Sequence, residues 1–205
     1  GHALDDITVD ARTDAERNEA VRSLIVMGVP AEGLILQYAA KGVGRTREFC
    51  IATLSYIRGA QSLRILEQAL SDPAVTDGGR KYAVMALEEI ADPKSAPAVL
   101  AAFDTYDVRE ARSSGAVEAA VHAAAMMAKV NYQPAAPAIL DWMKQEPNPH
   151  YKTDYAQALA SLRYRPAIPL IEKMCETRKF SAECALKTHG YLGDLPEVAL
   201  LRLTG

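Results

Sequence analysis

The chain has 205 residues, of which 49% are hydrophobic and 24% are charged, and this composition indicates a folded domain or repeat array and excludes a disordered tail. Lysine and arginine (23) against aspartate and glutamate (26) give a net charge of -3, without the basic excess that nucleic-acid binding requires. No apolar stretch approaches the roughly 20 residues that cross a bilayer. We therefore expect a protein or peptide partner, no nucleic acid and no membrane span.

The start of the chain predicts a lead segment at residues 1–13, followed by a single repeat array at residues 14–205. The absence of an initiator methionine and the polar stretch from Leu4 to Asn18 favour an exported or periplasmic protein whose signal has been removed. The three cysteines do not form an evident disulfide framework, which favours a cytoplasmic protein instead. Cys50 is interpreted as a core residue, whereas Cys175 and Cys184 form either a disulfide bridge or two reduced structural thiols.

A repeated position organises the sequence into six units. It recurs at spacings of 30, 33, 40, 32 and 27 residues. The residues three before and nine after it are apolar in all six units, which indicates two buried helix faces in each. Seven residues after it, four units carry a proline, which marks the first turn of a helix. The six anchors are Met27, Ile57, Ile90, Val130, Leu162 and His189, and the prolines are Pro97, Pro137, Pro169 and Pro196.

Each unit is predicted to be a helix-turn-helix, because apolar residues recur at helical spacing and alanine is abundant. Ser95 and Asp194 are placed to cap second helices. Stacked pairs bury one continuous core, so the fold class is an all-α superhelix, a right- or left-curving solenoid of about six repeats. In chain order the predicted pairs are 14–27 and 32–41, 46–58 and 62–71, 79–91 and 95–104, 113–130 and 135–145, 151–163 and 167–177, and 180–190 and 194–203.

The third unit carries the most complete motif. It places an arginine, a small-large pair, a turn Asp-Pro and second-helix prolines at Arg80, Ala86-Leu87, Asp92-Pro93 and Pro97. The pattern resembles the HEAT-like repeat family, in particular the short bacterial form found in phycobilisome lyases. This resemblance implies the superhelical fold and the binding of other macromolecules. It brings no catalytic residue, because the shared positions are packing positions.

The four histidines are the first candidates for chemistry. None is followed by glutamate, which the iron-binding branch of HEAT-like oxygenases would require, and none has a metal-ligand partner at helical spacing. His189 is interpreted as a core histidine of the last unit, or else as a polar site at the end of the array. His122 is interpreted as part of a packed alanine face, and the sequence predicts no catalytic, cofactor-binding or metal-binding residue.

Aromatic residues supply partner-binding candidates. Tyr132, Tyr164 and Tyr191 each lie two residues after an anchor, so they are expected to form a row along one edge. The row either closes that edge against water or binds a peptide or partner helix. Trp142, the only tryptophan, packs in the core or forms a contact hot spot.

The 40-residue step between Ile90 and Val130 inserts about seven residues relative to the other units, and such insertions often map to a binding face. Tyr106, Arg109 and Arg112 are candidate contacts there. The alternative is a longer exposed connection or an extra helical turn.

Three functions follow from these observations. We expect a non-catalytic scaffold that binds a protein or peptide through its stacked helices, because no nucleophile, base and orienting group can be assembled from the sequence. Its second helices are expected to line the concave surface with mixed charge.

The alternative, from family analogy, is an enzyme or enzyme subunit of the phycobilin lyase type, which joins a chromophore to a cysteine of a partner and requires an open cleft with polar groups. A HEAT-like DNA glycosylase is disfavoured by the net charge.

Overall fold

Paired α-helices make up the described part of the chain. The computed structural model describes residues 14–41, 44–57, 61–103, 114–177 and 196–204. Within these ranges there are eleven α-helices and no strand, and none of the helices is long and apolar enough to span a membrane. The helices are α1 Asp14–Met27, α2 Val29–Lys41, α3 Gly44–Ile57, α4 Ser62–Ser71, α5 Asp77–Ile90, α6 Ala96–Phe103, α7 Ser114–Lys129, α8 Ala136–Gln145, α9 Pro149–Ser161, α10 Ile168–Thr177 and α11 Pro196–Thr204.

Five predicted pairs are present, and α11 is the second helix of the sixth unit. Its predicted first helix, 180–190, lies outside the described residues, as do His189, Cys184 and the proposed cap Asp194. The predicted bounds of the described helices differ from the observed ones by three residues or fewer. Because Cys184 is outside the described residues, both alternatives for Cys175 and Cys184, a disulfide bridge or two reduced thiols, stay predictions.

The repeat register is confirmed by burial. The residues three before the anchor in units one to five are at most 1% exposed, so this face forms the centre of the array. The residues nine after it are fully buried in units two to five and partly buried in units one and six. The first set is Leu24, Leu54, Leu87, Met127 and Leu159, and the second is Leu36, Leu66, Val99, Ile139, Ile171 and Val198.

First helices end in the same way in four units. The residue after the anchor adopts a left-handed backbone conformation, with φ of 65° at Gly28, 53° at Ala91, 55° at Asn131 and 54° at Arg163. This conformation lets backbone N–H groups after the helix bond back to its last carbonyls. In units three to five a one-turn 3-10 helix follows and leads into the second helix. The turn is therefore a property of the repeat and not of one residue type.

Prolines and a polar cap set the start of the second helices. Pro97, Pro137 and Pro169 are the second residues of α6, α8 and α10, and Pro196 is the first of α11, as the sequence predicts. Ser95 differs from its predicted capping role, since its buried hydroxyl donates to Glu67 Oε1 at 2.5 Å. The carboxylate of Asp92 accepts the turn N–H of Lys94 instead, at 2.9 Å.

The left-handed position allows a test of the turn. Ala91→Gly and Arg163→Gly are each expected to raise the free energy of unfolding by about 0.5–1 kcal/mol, because glycine adopts positive φ without steric cost. Urea unfolding followed by circular dichroism measures the change. The control is Ala101→Gly, at an exposed position within α6, which is expected to cost roughly 1 kcal/mol. Equal destabilisation by all three variants would contradict this account of the turn.

The first helices of units two to five stack closely. Each packs directly on the next, whereas their second helices make fewer direct contacts, and the joint between α5 and α7 is the most extensive. Helix α7 carries buried alanines at 119, 120, 123 and 124, and small side chains of this kind allow helices to approach closely. At the start of the joint, a Cβ on Gly115 would lie 3.4 Å from the Asp77 backbone, which is van der Waals contact, so the two helices approach closely here. Small side chains on α7 therefore accompany the most extensive joint between the described helices.

Polar contacts join successive units. Glu32 Oε1 of unit one accepts hydrogen bonds from both the backbone N–H and the hydroxyl of Ser62, each at 2.7 Å. Gln133 of unit four donates to the carbonyl of Leu162 at 3.1 Å.

Cys50 lies fully buried in α3, and burial raises the pKa of its thiol to about 12. Cys50 is therefore a neutral core residue, as its pattern predicts.

Candidate functional site

An open groove of about 560 Å³ lies across the first helices of units three, four and five. Its apolar lining consists of Val121, Ala125, Ala128 and Ala158, and these small side chains leave the space that the groove occupies. Polar groups surround this lining on α5, α7 and α9: Glu88, Glu118, His122, Lys129, Tyr151, Asp154, Gln157 and Ser161. The groove thus combines an apolar lining with several convergent polar groups, the usual composition of a small-molecule site.

The face of α7 gives the groove its length. Glu118, His122, Ala125 and Lys129 follow one another at helical spacing, so they share one face of the helix. Eleven residues at 1.5 Å each separate the first from the last, which corresponds to roughly 16 Å along the axis. The groove can therefore hold an elongated molecule that contacts three successive units.

A histidine–carboxylate pair lies in this groove. His122 Nδ1 is 2.7 Å from Glu88 Oε2, and the two side chains are 31% and 27% exposed. Lys129 Nζ donates to the backbone carbonyl of Glu88 at 3.0 Å and does not occupy its carboxylate in this contact. The pair joins α5 to α7 while remaining open to the groove.

A second cluster lies one turn earlier on α7. Lys81 of α5 forms an ion pair with Glu118, and this hydrogen bond raises the pKa of the lysine. Burial raises the pKa of Tyr151, and the nearby carboxylates of Glu118 and Glu146 raise it further. At neutral pH this end of the groove therefore presents a charged pair and a protonated phenol.

The prediction for His122 is corrected by this geometry. Its helix does carry the packed alanine face, but the imidazole itself lies at the groove and pairs with Glu88. Sequence reasoning missed the pair because the two residues are 34 positions apart. His150 is exposed at the start of α9, and His2 and His189 lie outside the described residues. Over the described ranges, no group of three or more His, Cys, Asp and Glu side chains is placed to hold a metal ion.

Two tyrosines of the predicted edge, Tyr132 and Tyr164, lie at the ends of first helices. Tyr132 and Tyr164 are half-buried against the core. Their backbone N–H groups donate to the carbonyls of Met127 and Leu159 at 2.8 and 2.9 Å, which closes the ends of α7 and α9. An apolar contact with the preceding turn commonly accompanies this type of helix end. Tyr191 lies outside the described residues, as do Tyr106, Arg109 and Arg112.

Trp142 is only 3% exposed. Its ring packs edge-on against Phe103 and Tyr155, with centroid distances of 6.1 and 6.3 Å. This arrangement agrees with the prediction that Trp142 packs in the core. The indole ring is too deeply buried to contact a partner while the chain is folded.

Comparison with known proteins supports the repeat assignment. Residues 79–105 match the family model described as PBS lyase HEAT-like repeat, and they contain the whole third-unit motif. The chain is also similar to a solved chain from the complex of CpcE and CpcF of phycocyanin lyase from Nostoc sp. PCC7120. That similarity has a TM-score of 0.61 at 14% identity and covers 98% of this chain and 93% of the other. No curated protein matches the chain. The predicted resemblance to HEAT-like repeats and the all-α superhelix are confirmed.

The same matches overturn one prediction. The chain was expected not to be an enzyme, but the matching repeat model is named for a lyase and the similar structure is that of a lyase complex. Both therefore point to an enzyme-type function. The error arose because the repeat's shared positions are packing positions, so the motif itself contains no chemistry.

Proposed function

We propose that the protein is an enzyme subunit of the phycobilin lyase type, which holds a linear tetrapyrrole chromophore in the groove and joins it to a cysteine of a protein partner. The observation that carries this proposal is the open groove across three first helices, in a fold similar along nearly its whole length to a chain of a phycocyanin lyase complex. Its volume falls within the range of small-molecule sites. The apolar lining suits a flat conjugated molecule, and the surrounding polar groups suit its substituents.

The acceptor protein is the partner in this proposal. A two-chain assembly is the form in which the similar lyase structure was solved, and this supports a protein partner for the present chain. The predicted contacts Tyr132 and Tyr164 remain candidates for that interface through their exposed parts. Tyr191, Tyr106, Arg109 and Arg112 also remain proposals, and alanine variants of each, assayed for binding of apo-phycocyanin, test them.

Filling the groove tests the chromophore site. Ala125→Trp places a large ring on the groove lining and is expected to weaken phycobilin binding at least tenfold, because the side chain occupies the ligand's space. Absorbance and fluorescence titrations of the purified chain with a phycobilin measure the dissociation constant. Circular dichroism monitors the fold.

The matched control is Ala101→Trp, an exposed alanine on second helix α6 that does not line the groove. We expect it to bind the phycobilin as the unmodified chain does. Absence of binding by the unmodified chain, or equal binding by both tryptophan variants, would overturn the proposed function.

A further inference from the structure

The Glu88–His122 pair has the geometry of a proton acceptor with its orienting group. A carboxylate is only a hydrogen-bond acceptor, so the 2.7 Å contact assigns the ring proton to Nδ1 of His122. In the neutral ring, Nε2 then carries the lone pair. The ionised carboxylate also stabilises the cation that forms when Nε2 takes up a proton. The pair is therefore arranged to accept a proton and later return it.

The surroundings of the pair leave it accessible. On its own helix, Glu118 lies one turn before His122 and Lys129 two turns after it. The other titratable groups that line the groove are Tyr151 and Asp154 of α9, and Lys81 of α5 contacts Glu118 beside it. Lys81 is paired with Glu118, and Lys129 is bonded to a backbone carbonyl. Neither cation is therefore placed on the Glu88 carboxylate in these contacts.

We propose that His122 transfers the proton in the joining reaction and that Glu88 is its positioning residue, an inference that rests on the proposed function. The S–H proton of the acceptor cysteine passes to Nε2 of His122, while the sulfur electron pair forms a C–S bond to one carbon of a chromophore C=C bond. The π electrons of that bond take a proton at the neighbouring carbon, and the imidazolium supplies it. The net reaction adds S–H across C=C, restores neutral His122 and requires no oxidant or reductant.

The test is the addition of N-acetylcysteine to a phycobilin bound by the full chain, followed by absorbance as conjugation shortens. We expect His122→Gln to slow this addition roughly 100-fold at saturating phycobilin, because glutamine keeps a hydrogen bond to Glu88 but accepts no proton at neutral pH. Its phycobilin dissociation constant is expected to stay unchanged. Glu88→Gln is expected to slow the addition roughly tenfold, because the imidazolium loses its counter-charge.

A further measurement separates proton transfer from a structural role. Added imidazole is expected to restore part of the rate in His122→Gln. The control is His150→Gln, an exposed histidine outside the groove, which is expected to leave rate and binding unchanged.

The outcomes distinguish the two proposals. If the unmodified chain binds no phycobilin, the proposed function fails and this inference fails with it. If the phycobilin binds but addition is no faster than in buffer, or His122→Gln reacts as fast as the unmodified chain, only this inference is overturned. A slower rate that imidazole does not restore, together with weaker phycobilin binding, assigns the pair a structural role and also overturns the inference.

Discussion

Replacing Trp142 with alanine is expected to lower the free energy of unfolding by about 3–5 kcal/mol. The indole is 3% exposed and is held edge-on between Phe103 and Tyr155, so its removal takes away buried apolar surface and leaves a cavity among α6, α8 and α9. Urea unfolding followed by circular dichroism measures the loss.

Leu201→Ala is the matched control, because that side chain is 69% exposed on α11 and its truncation is expected to cost less than about 0.5 kcal/mol. A similar small loss in Trp142→Ala would show that the indole does not support the core. Such a result would restore the tryptophan as a candidate contact for a partner.

The second large effect is expected at the joint between units one and two. Glu32→Ala removes the carboxylate that accepts two hydrogen bonds from Ser62, and it leaves a buried N–H and a buried hydroxyl without that acceptor. We expect a loss of roughly 3 kcal/mol, since hydrogen bonds to a charged group and unsatisfied buried donors both contribute. Because a repeat array is coupled mainly between neighbours, the loss is expected to concentrate at this joint.

Hydrogen exchange measured by mass spectrometry locates the effect. Protection is expected to fall in α1 to α4 and to persist in α7 to α9. Glu19→Ala serves as the control, because its ion pair with Arg22 is mostly exposed and is expected to contribute nothing measurable. Uniform loss of protection along all helices would contradict a local joint and indicate one fully cooperative unit.

Much of the fold could be predicted because equivalent positions of the repeat are buried in the same way in successive described units. Apolar residues three before and nine after each anchor identify two buried faces, and in-register prolines identify helix starts, since proline is tolerated only in the first turn. The left-handed residues could not be predicted in the same way. Ala91 and Arg163 have no intrinsic preference for positive φ, and the closure of the helix end and the packing of the next helix impose it.

The site was harder to predict for a geometric reason. Glu88 and His122 meet because α5 and α7 pack with a particular offset along their axes, and residue spacing does not determine that offset. The alanines of α7 gave a partial signal, because those at 119, 120, 123 and 124 predict close packing, but Ala125 and Ala128 of the same helix line the groove. The insertion after α6 further obscured the alignment of units three and four.

The alanine-lined joint between α5 and α7 also has a mechanical consequence. Its interface is more extensive than those between the neighbouring first helices. Under tension applied at its two ends, the array is therefore expected to separate last between α5 and α7. The pair of helices that carries Glu88 and His122 would hold its spacing while outer units bend around a bound protein.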